Sequence, residues 1–438
     1  MLELNKHEIG DVLEIGRKEK VLLVLYSICA LFVPVYFFAS STGLTLLALD
    51  RMPLIATFVS AFILFGYLYL IRQQLYVRFL LPVALYYLLL AIWWRFFFEG
   101  LPPLWYLLLG VHIYGLLSLP HASKTALLRY LGIVFAIVML PGLVYFIVRL
   151  LGFDVPHSIL NSENLGKVSL NIYYEATPLG VLRISSGTPD YCGIYDESGC
   201  LGTFVVLLFI DYVSCSKLKT LKGYRFIRNA LLIEALMTFS FAAYVLLVVF
   251  AVGTCILERK WKSFAALACL IVILLLFLTI DSNNTVFGRL QHRIAEALLN
   301  QTFEYNRISE GLSHVINNNF YRSEDLGVLS FGYGPFAIED FQTANNLGGY
   351  GIEQYLYDYG YIGTALYFVV ILVVYYCSGG FSIRQSLPLV CFLISMFQRP
   401  AVLFVLYICI LILGNLDANR FPPKEQPFSS TSSNIIIS

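Results

Sequence analysis

Charge is sparse in this chain. Asp, Glu, Lys and Arg make up 13% of its 438 residues against 58% hydrophobic ones, too little to coat a soluble protein of this length. The net charge is +1, so there is no basic excess to hold a nucleic acid. Metal signatures are missing as well: the polar segments carry no D-x-D pair, no H-E-x-x-H and no C-x-x-C, and no P-loop occurs. Those absences exclude the ligand sets of a metal-dependent sugar transferase, a zinc hydrolase and a P-loop enzyme, and no cofactor or metal is expected. Ionisable residues inside the apolar runs are few (Arg95, Glu234, and Asp211 near an end), which argues against an ion-coupled transporter built on buried carboxylates. Glu234 is expected to be a paired structural carboxylate. Nothing repeats along the chain. No small-residue cleavage pattern follows the polar residues 1–20, so a cytoplasmic N-terminus is expected in place of a signal peptide.

What is present is a series of apolar runs of bilayer length. Spans are expected at Val21–Ser40, Pro53–Ile71, Phe79–Phe98, Leu101–Pro120 and Tyr130–Leu151, then a polar segment at Gly152–Gly199, with further apolar runs within 200–280 and 361–416. Arg72, Arg78, Lys124, Arg129, Lys217, Lys219, Lys222, Arg225 and Arg228 all fall on the side of the N-terminus, which the positive-inside rule makes cytoplasmic. Of the eleven lysines only Lys167 then lies outside. Residues 152–199 and the long polar stretch 281–360 accordingly face outward, toward the periplasm if the membrane is a bacterial inner membrane. Two segments, Asn229–Leu257 and Ser386–Gly414, have basic flanks at both ends yet are too short for two full spans. Each carries a polar turn near its middle, Thr238-Phe239-Ser240 and Gln398-Arg399-Pro400, and each is expected to form a pair of short or re-entrant helices. The expected fold is an all-α polytopic integral membrane protein of about 10–12 transmembrane helices with a large, partly helical periplasmic loop. Residues 417–438 are expected to form a cytoplasmic tail. For Cys192 and Cys200, at the outer segment, a disulfide and a helix start at Cys200 are the two readings.

The residues that could carry chemistry sit in the two outer segments. The first ends in Arg183 followed by the acidic pair Asp196 and Glu197 at the mouth of a helix, which is either a salt bridge closing a loop or part of a site. The second has no lysine, and its cations are Arg289, Arg293, Arg307 and Arg322. Apolar spacings of three and four predict amphipathic helices over Phe287–Leu298, with Arg289 and Arg293 one turn apart, and over Asn306–Asn317, with Arg307, Glu310 and His314 on the polar side. A solvated face over the headgroups would look the same. Arginine in place of lysine favours a site, because the guanidinium fork grips phosphate oxygens bidentately and keeps its charge. Arg399 at a membrane-embedded turn adds to that, since a charge there is costly. Gly332, Tyr333 and Gly334 offer close backbone approach and an aromatic face for sugar rings.

In family order between residues 183 and 400 run Arg183, the Asp-Glu-x-Gly-x-Leu-Gly-Thr stretch at Asp196–Thr203, the Leu-x-Thr-x-Ser turn at Leu236–Ser240, and Arg307. Phe331-Gly332-Tyr333-Gly334, Tyr359-Gly360-Tyr361-Ile362-Gly363 and Phe397-Gln398-Arg399-Pro400 follow. This series resembles the bacterial O-antigen polymerase (Wzy-type) family and, more distantly, the O-antigen ligases. The chain departs from that family at Ser198, where proline is common, and at Phe241, where arginine is common. The histidine of the ligases is absent, with Gly349 and Tyr350 at the corresponding positions. The resemblance implies a GT-C-like fold and a metal-independent glycosyl transfer on the periplasmic face. The growing glycan on undecaprenyl diphosphate would be the donor and a lipid-linked repeat unit the acceptor, with a chain-length regulator as a further partner. It further implies that Arg183 and Arg307 hold the diphosphate, backed by Arg289, Arg293 and Arg399, and that Glu197 or His314 activates the acceptor hydroxyl. A lipid-linked oligosaccharide flippase and an O-antigen ligase are the alternatives.

Overall fold

The computed structural model describes residues 15–32, 52–73, 76–95, 102, 104–161, 172–177, 180–185, 188–195, 198–262, 265, 315–334, 337, 352–383, 385–398 and 405–416. The chain is mostly helical. The first half contributes α1 (Arg17–Phe32), α2 (Met52–Leu70), α3 (Leu80–Arg95), α4 (Leu104–Ser118) and α5 (His121–Leu150). After a sheet come α6 (Ser198–Ser214), the one-turn α7 (Ser216–Lys219), α8 (Tyr224–Met237) and α9 (Phe241–Leu257). A π-helical turn, Ile316–Tyr321, precedes α10 (Leu326–Phe331), α11 (Ile352–Gly379), α12 (Ser386–Gln398) and α13 (Val405–Leu413). The helices expected at Phe287–Leu298 and Asn306–Asn317 lie outside the described residues, save the last three positions of the second.

Three helical stretches, Val77–Trp94, His121–Leu150 and Ile352–Gly379, are long and apolar enough to cross a membrane. In α5 one face buries Phe135, Met139 and Phe146, while Ile137, Leu140 and Val144 are exposed, at spacings of three and four along the opposite face. In α11, Ile362, Val369, Leu372 and Tyr376 form a second exposed apolar stripe. A helix apolar on both faces belongs in a protein core or in lipid. The inner face packs one continuous core in which α1, α2, α4 and α13 meet around His112. Its Nδ1 lies 3.1 Å from the Tyr26 hydroxyl and its Nε2 lies 3.2 Å from Ser60 Oγ, with Cys409 Sγ 3.6 Å from the same tyrosine. Such bonds between helices are worth about 0.6 kcal/mol each on average in a membrane.

Two expectations are corrected. Helix α5 begins at His121, ahead of the expected Tyr130, so Lys124 and Arg129 are helical where a loop was expected. Lys124 is buried and donates to the Leu117 carbonyl at 3.1 Å, which satisfies its ammonium within the protein. The second correction concerns the all-α class. Between α5 and α6 the chain folds into an antiparallel meander of β1 (Ser158–Asn161), β2 (Ile172–Thr177), β3 (Gly180–Ser185) and β4 (Thr188–Gly193). Only two residues separate β2 from β3 and β3 from β4, the connection length of tight hairpins.

The sheet docks on the C-terminal half of α5. Gly180 and Gly142 let the two backbones touch: a Cβ on Gly180 would lie 2.6 Å from Gly142 Cα. Tyr191 donates to the Met139 carbonyl at 2.8 Å. Arg149 grips the buried Glu175 through two bonds of 2.7 and 2.6 Å, and Tyr145 donates to the same carboxylate at 3.0 Å. Cys192 and Cys200 both carry thiols, with Cys192 Sγ donating to the Asp190 carbonyl.

Candidate functional site

The sheet presents Arg183 on the side turned away from α5. Alternation along the strands puts Leu182, Ile184, Glu175 and Tyr191 on the face packed against α5, with Leu182 and Tyr191 fully buried. Arg183 is half-buried and stands in register with Asp190 on β4 and Tyr174 on β2. A carboxylate opposite a guanidinium on one sheet face is a favourable cross-strand neighbour. The sheet therefore places Arg183 on a strand where a periplasmic loop was expected. Burial, with Glu234 in the neighbourhood, holds the phenol of Tyr191 well above its ordinary value, so this tyrosine stays a neutral hydrogen-bond donor.

Beneath the sheet, α6 meets the turn between α8 and α9. The helix break falls at Thr238-Phe239-Ser240, where Phe239 adopts φ +47° and Ser240 caps α9 by accepting from Ala243 N. Gly202 of α6 makes room for this turn, since a Cβ there would lie 2.9 Å from Ser240 Cβ and 3.0 Å from Thr238 Oγ1. Glu234, one turn earlier on α8, is 1% exposed. Its Oε2 is buried without a hydrogen-bond partner among the described residues, so the expected pairing is not found there.

A third locus joins Phe331–Gly334 to α11. Asp325 caps α10 by accepting from Gly327 N at 2.7 Å, and α10 ends at Gly332 with φ +74°. Helix α11 is interrupted at Gly360, whose φ of +65° and ψ of −174° are not helical. The two glycines face each other's backbone. A Cβ on Gly332 would lie 2.4 Å from the Asp358 carbonyl, and one on Gly360 would lie 2.4 Å from Phe331 N. Tyr333 N and Gly334 N then donate to the carbonyls of Tyr357 and Asp358 at 2.9 and 2.8 Å, carbonyls that the break in α11 would otherwise leave without partners. The Tyr333 ring stacks on Tyr357 with centroids 4.6 Å apart, and its hydroxyl donates to the Asn319 carbonyl. Tyr359 stacks on Trp93 of α3 at 3.8 Å, which ties the crossing to the helical core.

Of the residues singled out in the sequence, Gly332, Tyr333 and Gly334 form one unit and Arg183 stands apart on the sheet. Glu197, Arg289, Arg293, Arg307, His314 and Arg399 lie outside the described residues. What the missing side chains of Gly332 and Gly360 admit is the chain's own backbone. The sequence reading missed Arg149, whose signal was an arginine closing an apolar run at the end expected to face outward, and Trp93, which carried no signal. Among the described residues no three His, Cys, Asp or Glu side chains converge as a metal site. No protein family, curated protein or solved structure matches the chain.

Proposed function

We propose that this chain is a polytopic inner-membrane glycosyltransferase of the O-antigen polymerase type, joining lipid-diphosphate-linked oligosaccharides on the outer face. The observation that carries this reading is the pairing, in space, of segments on which the resemblance rests. Gly202 packs against Thr238 and Ser240, Gly332 and Gly334 meet the Asp358 carbonyl, and Gly360 meets the peptide between Ser330 and Phe331. Each pairing joins segments distant in sequence through a glycine, and Arg183 supplies a cation on the separate sheet.

In the reaction, an acceptor hydroxyl attacks the anomeric carbon of the donor's reducing-end sugar. The bond from that carbon to the diphosphate oxygen breaks, and the lipid diphosphate leaves with the electron pair. Arg183 and Arg307 neutralise the charge that builds on it, with Arg289, Arg293 and Arg399 as further phosphate ligands. Glu197 or His314 takes the hydroxyl proton. Arg183→Ala and Arg307→Ala should leave the protein in the membrane while the cell's surface glycan falls from a ladder of lengths to a single repeat. A normal ladder in both variants sinks the proposal.

One observation favours a second reading. Asp211 and Glu234 are buried in apolar surroundings, each with a carboxylate oxygen lacking a partner among the described residues, as in a transporter that couples substrate movement to a cation. Purified protein in detergent separates the two. A polymerase converts lipid-linked repeat units to polymer with no energy source, whereas a transporter makes no new glycosidic bond.

A further inference from the structure

At the end of α6 opposite the sheet, Asp211 is 3% exposed and Asn415, just beyond α13, is 1% exposed. The two belong to one packed locus. Asp211 Oδ1 rests against Gly414, where a Cβ would come within 2.6 Å of it, and Asn415 is the next residue. Asn415 Nδ2 donates to the carbonyls of Tyr375 and Gly380 at 2.7 and 2.8 Å, so both amide protons are used and flipping the amide would set oxygen against two oxygens. Its Oδ1 is therefore fixed as an acceptor. Among the described residues that oxygen is buried without a donor, and so is Asp211 Oδ2.

Two buried acceptors in one locus, neither with a donor among the described residues, call for a bound cation. A metal ion would need several more oxygens, and the nearby carbonyls of Tyr375 and Gly380 already accept from Asn415. A proton needs only the two atoms present. We propose that Asp211 and Asn415 form a proton-binding site, in which Asp211 is a neutral carboxylic acid that donates through Oδ2 to Asn415 Oδ1. One proton then satisfies both oxygens and removes the cost of a buried charge.

The surroundings suit a neutral acid. Among the described residues Tyr375 on α11 and Cys391 on α12 interact electrostatically with Asp211, and the Tyr375 phenol donates to the Gln385 carbonyl. Of the cations of α5 and α7, Lys124 is engaged with the Leu117 carbonyl, Arg129 with the Lys222 carbonyl, Arg149 with Glu175 and Lys217 with His121, and Lys219 is exposed. No cation of α8, α9 or α13 makes an ion pair with Asp211 among the described residues. Loss of the proton would leave a bare buried carboxylate against Gly414.

The test is an infrared difference spectrum of the purified full chain at neutral pH, wild type minus Asp211→Asn. A protonated-carboxyl carbonyl band should appear in wild type and be lost in the variant. Asn415→Ala, which removes the acceptor, should shift that band to higher frequency. Asp211→Asn should melt at the wild-type temperature because its amide N–H replaces the acid proton, whereas Asp211→Ala should melt lower. The proposal is overturned by absence of the band, by a band unmoved in Asn415→Ala, by an Asp211→Asn variant as unstable as Asp211→Ala, or by stabilisation of wild type with sodium ion at fixed pH.

Discussion

Gly332 and Gly360 each exist to accommodate the other's backbone. Both have positive φ, which a side chain resists by about 1–2 kcal/mol, and at both a Cβ would overlap a peptide group that has nowhere to move. Gly332→Ala or Gly360→Ala should therefore cost about 3 kcal/mol or more, read as a lowered melting midpoint in detergent. Gly66→Ala is the matched control. Gly66 lies in α2, a Cβ there would meet nothing within 4 Å, and the change should be neutral or stabilising by about 0.5–1 kcal/mol. If the two crossing variants melt with the control, the backbone contact is not what those glycines are for. Both glycines were legible in the sequence as motif members. Their reciprocity was not, because a spacing pattern does not reveal which two turns touch.

The sheet is held to α5 at three points, and the pair of Arg149 with Glu175 is the strongest. Glu175 is almost fully buried while Arg149 keeps 22% of its side chain exposed, so the carboxylate bears most of the desolvation cost if the pair is broken. Arg149→Ala should destabilise by roughly 3 kcal/mol, and Arg149→Lys should recover only part of it, because an ammonium cannot reproduce two parallel bonds. Hydrogen exchange should rise across residues 172–193 and stay unchanged in α1–α4. A uniform rise through the bundle would count against a docked sheet. At this scale the sequence was legible in part. The basic flanks of Asn229–Leu257 and the turn at Thr238-Phe239-Ser240 gave a helix pair where α8 and α9 now stand. In Ser386–Gly414, α12 and α13 fill the same segment. The sheet escaped because its short strands interrupt a polar segment whose charges drew the reading toward chemistry. Its anchors also lie on a helix read as apolar, so neither partner pointed to the other.

For the whole molecule the deciding question is which side of the membrane each part faces. The sheet and the glycine crossing must share the outer face if Arg183 and Tyr333 serve one reaction, and α7 with its lysines must face the cytosol. Single cysteines at Ile159 and Leu326, both exposed, should react with a membrane-impermeant thiol reagent added outside, in a background where the native cysteines are replaced. A cysteine at Lys219, which the exposed end of α7 presents, should react only after the membrane is opened. This pattern follows from two independent features, the lysine-rich α7 and the long apolar stretch of α5 that separates it from the sheet. At about 1.5 Å per residue α5 is about 45 Å long, more than the hydrocarbon core of a bilayer, so its two ends cannot lie on one side unless the helix lies flat. Labelling of Ile159 and Lys219 from the same side would remove the outer-face chemistry altogether, because an arginine mounted in the cytosol could not meet a lipid-linked glycan at the outer leaflet.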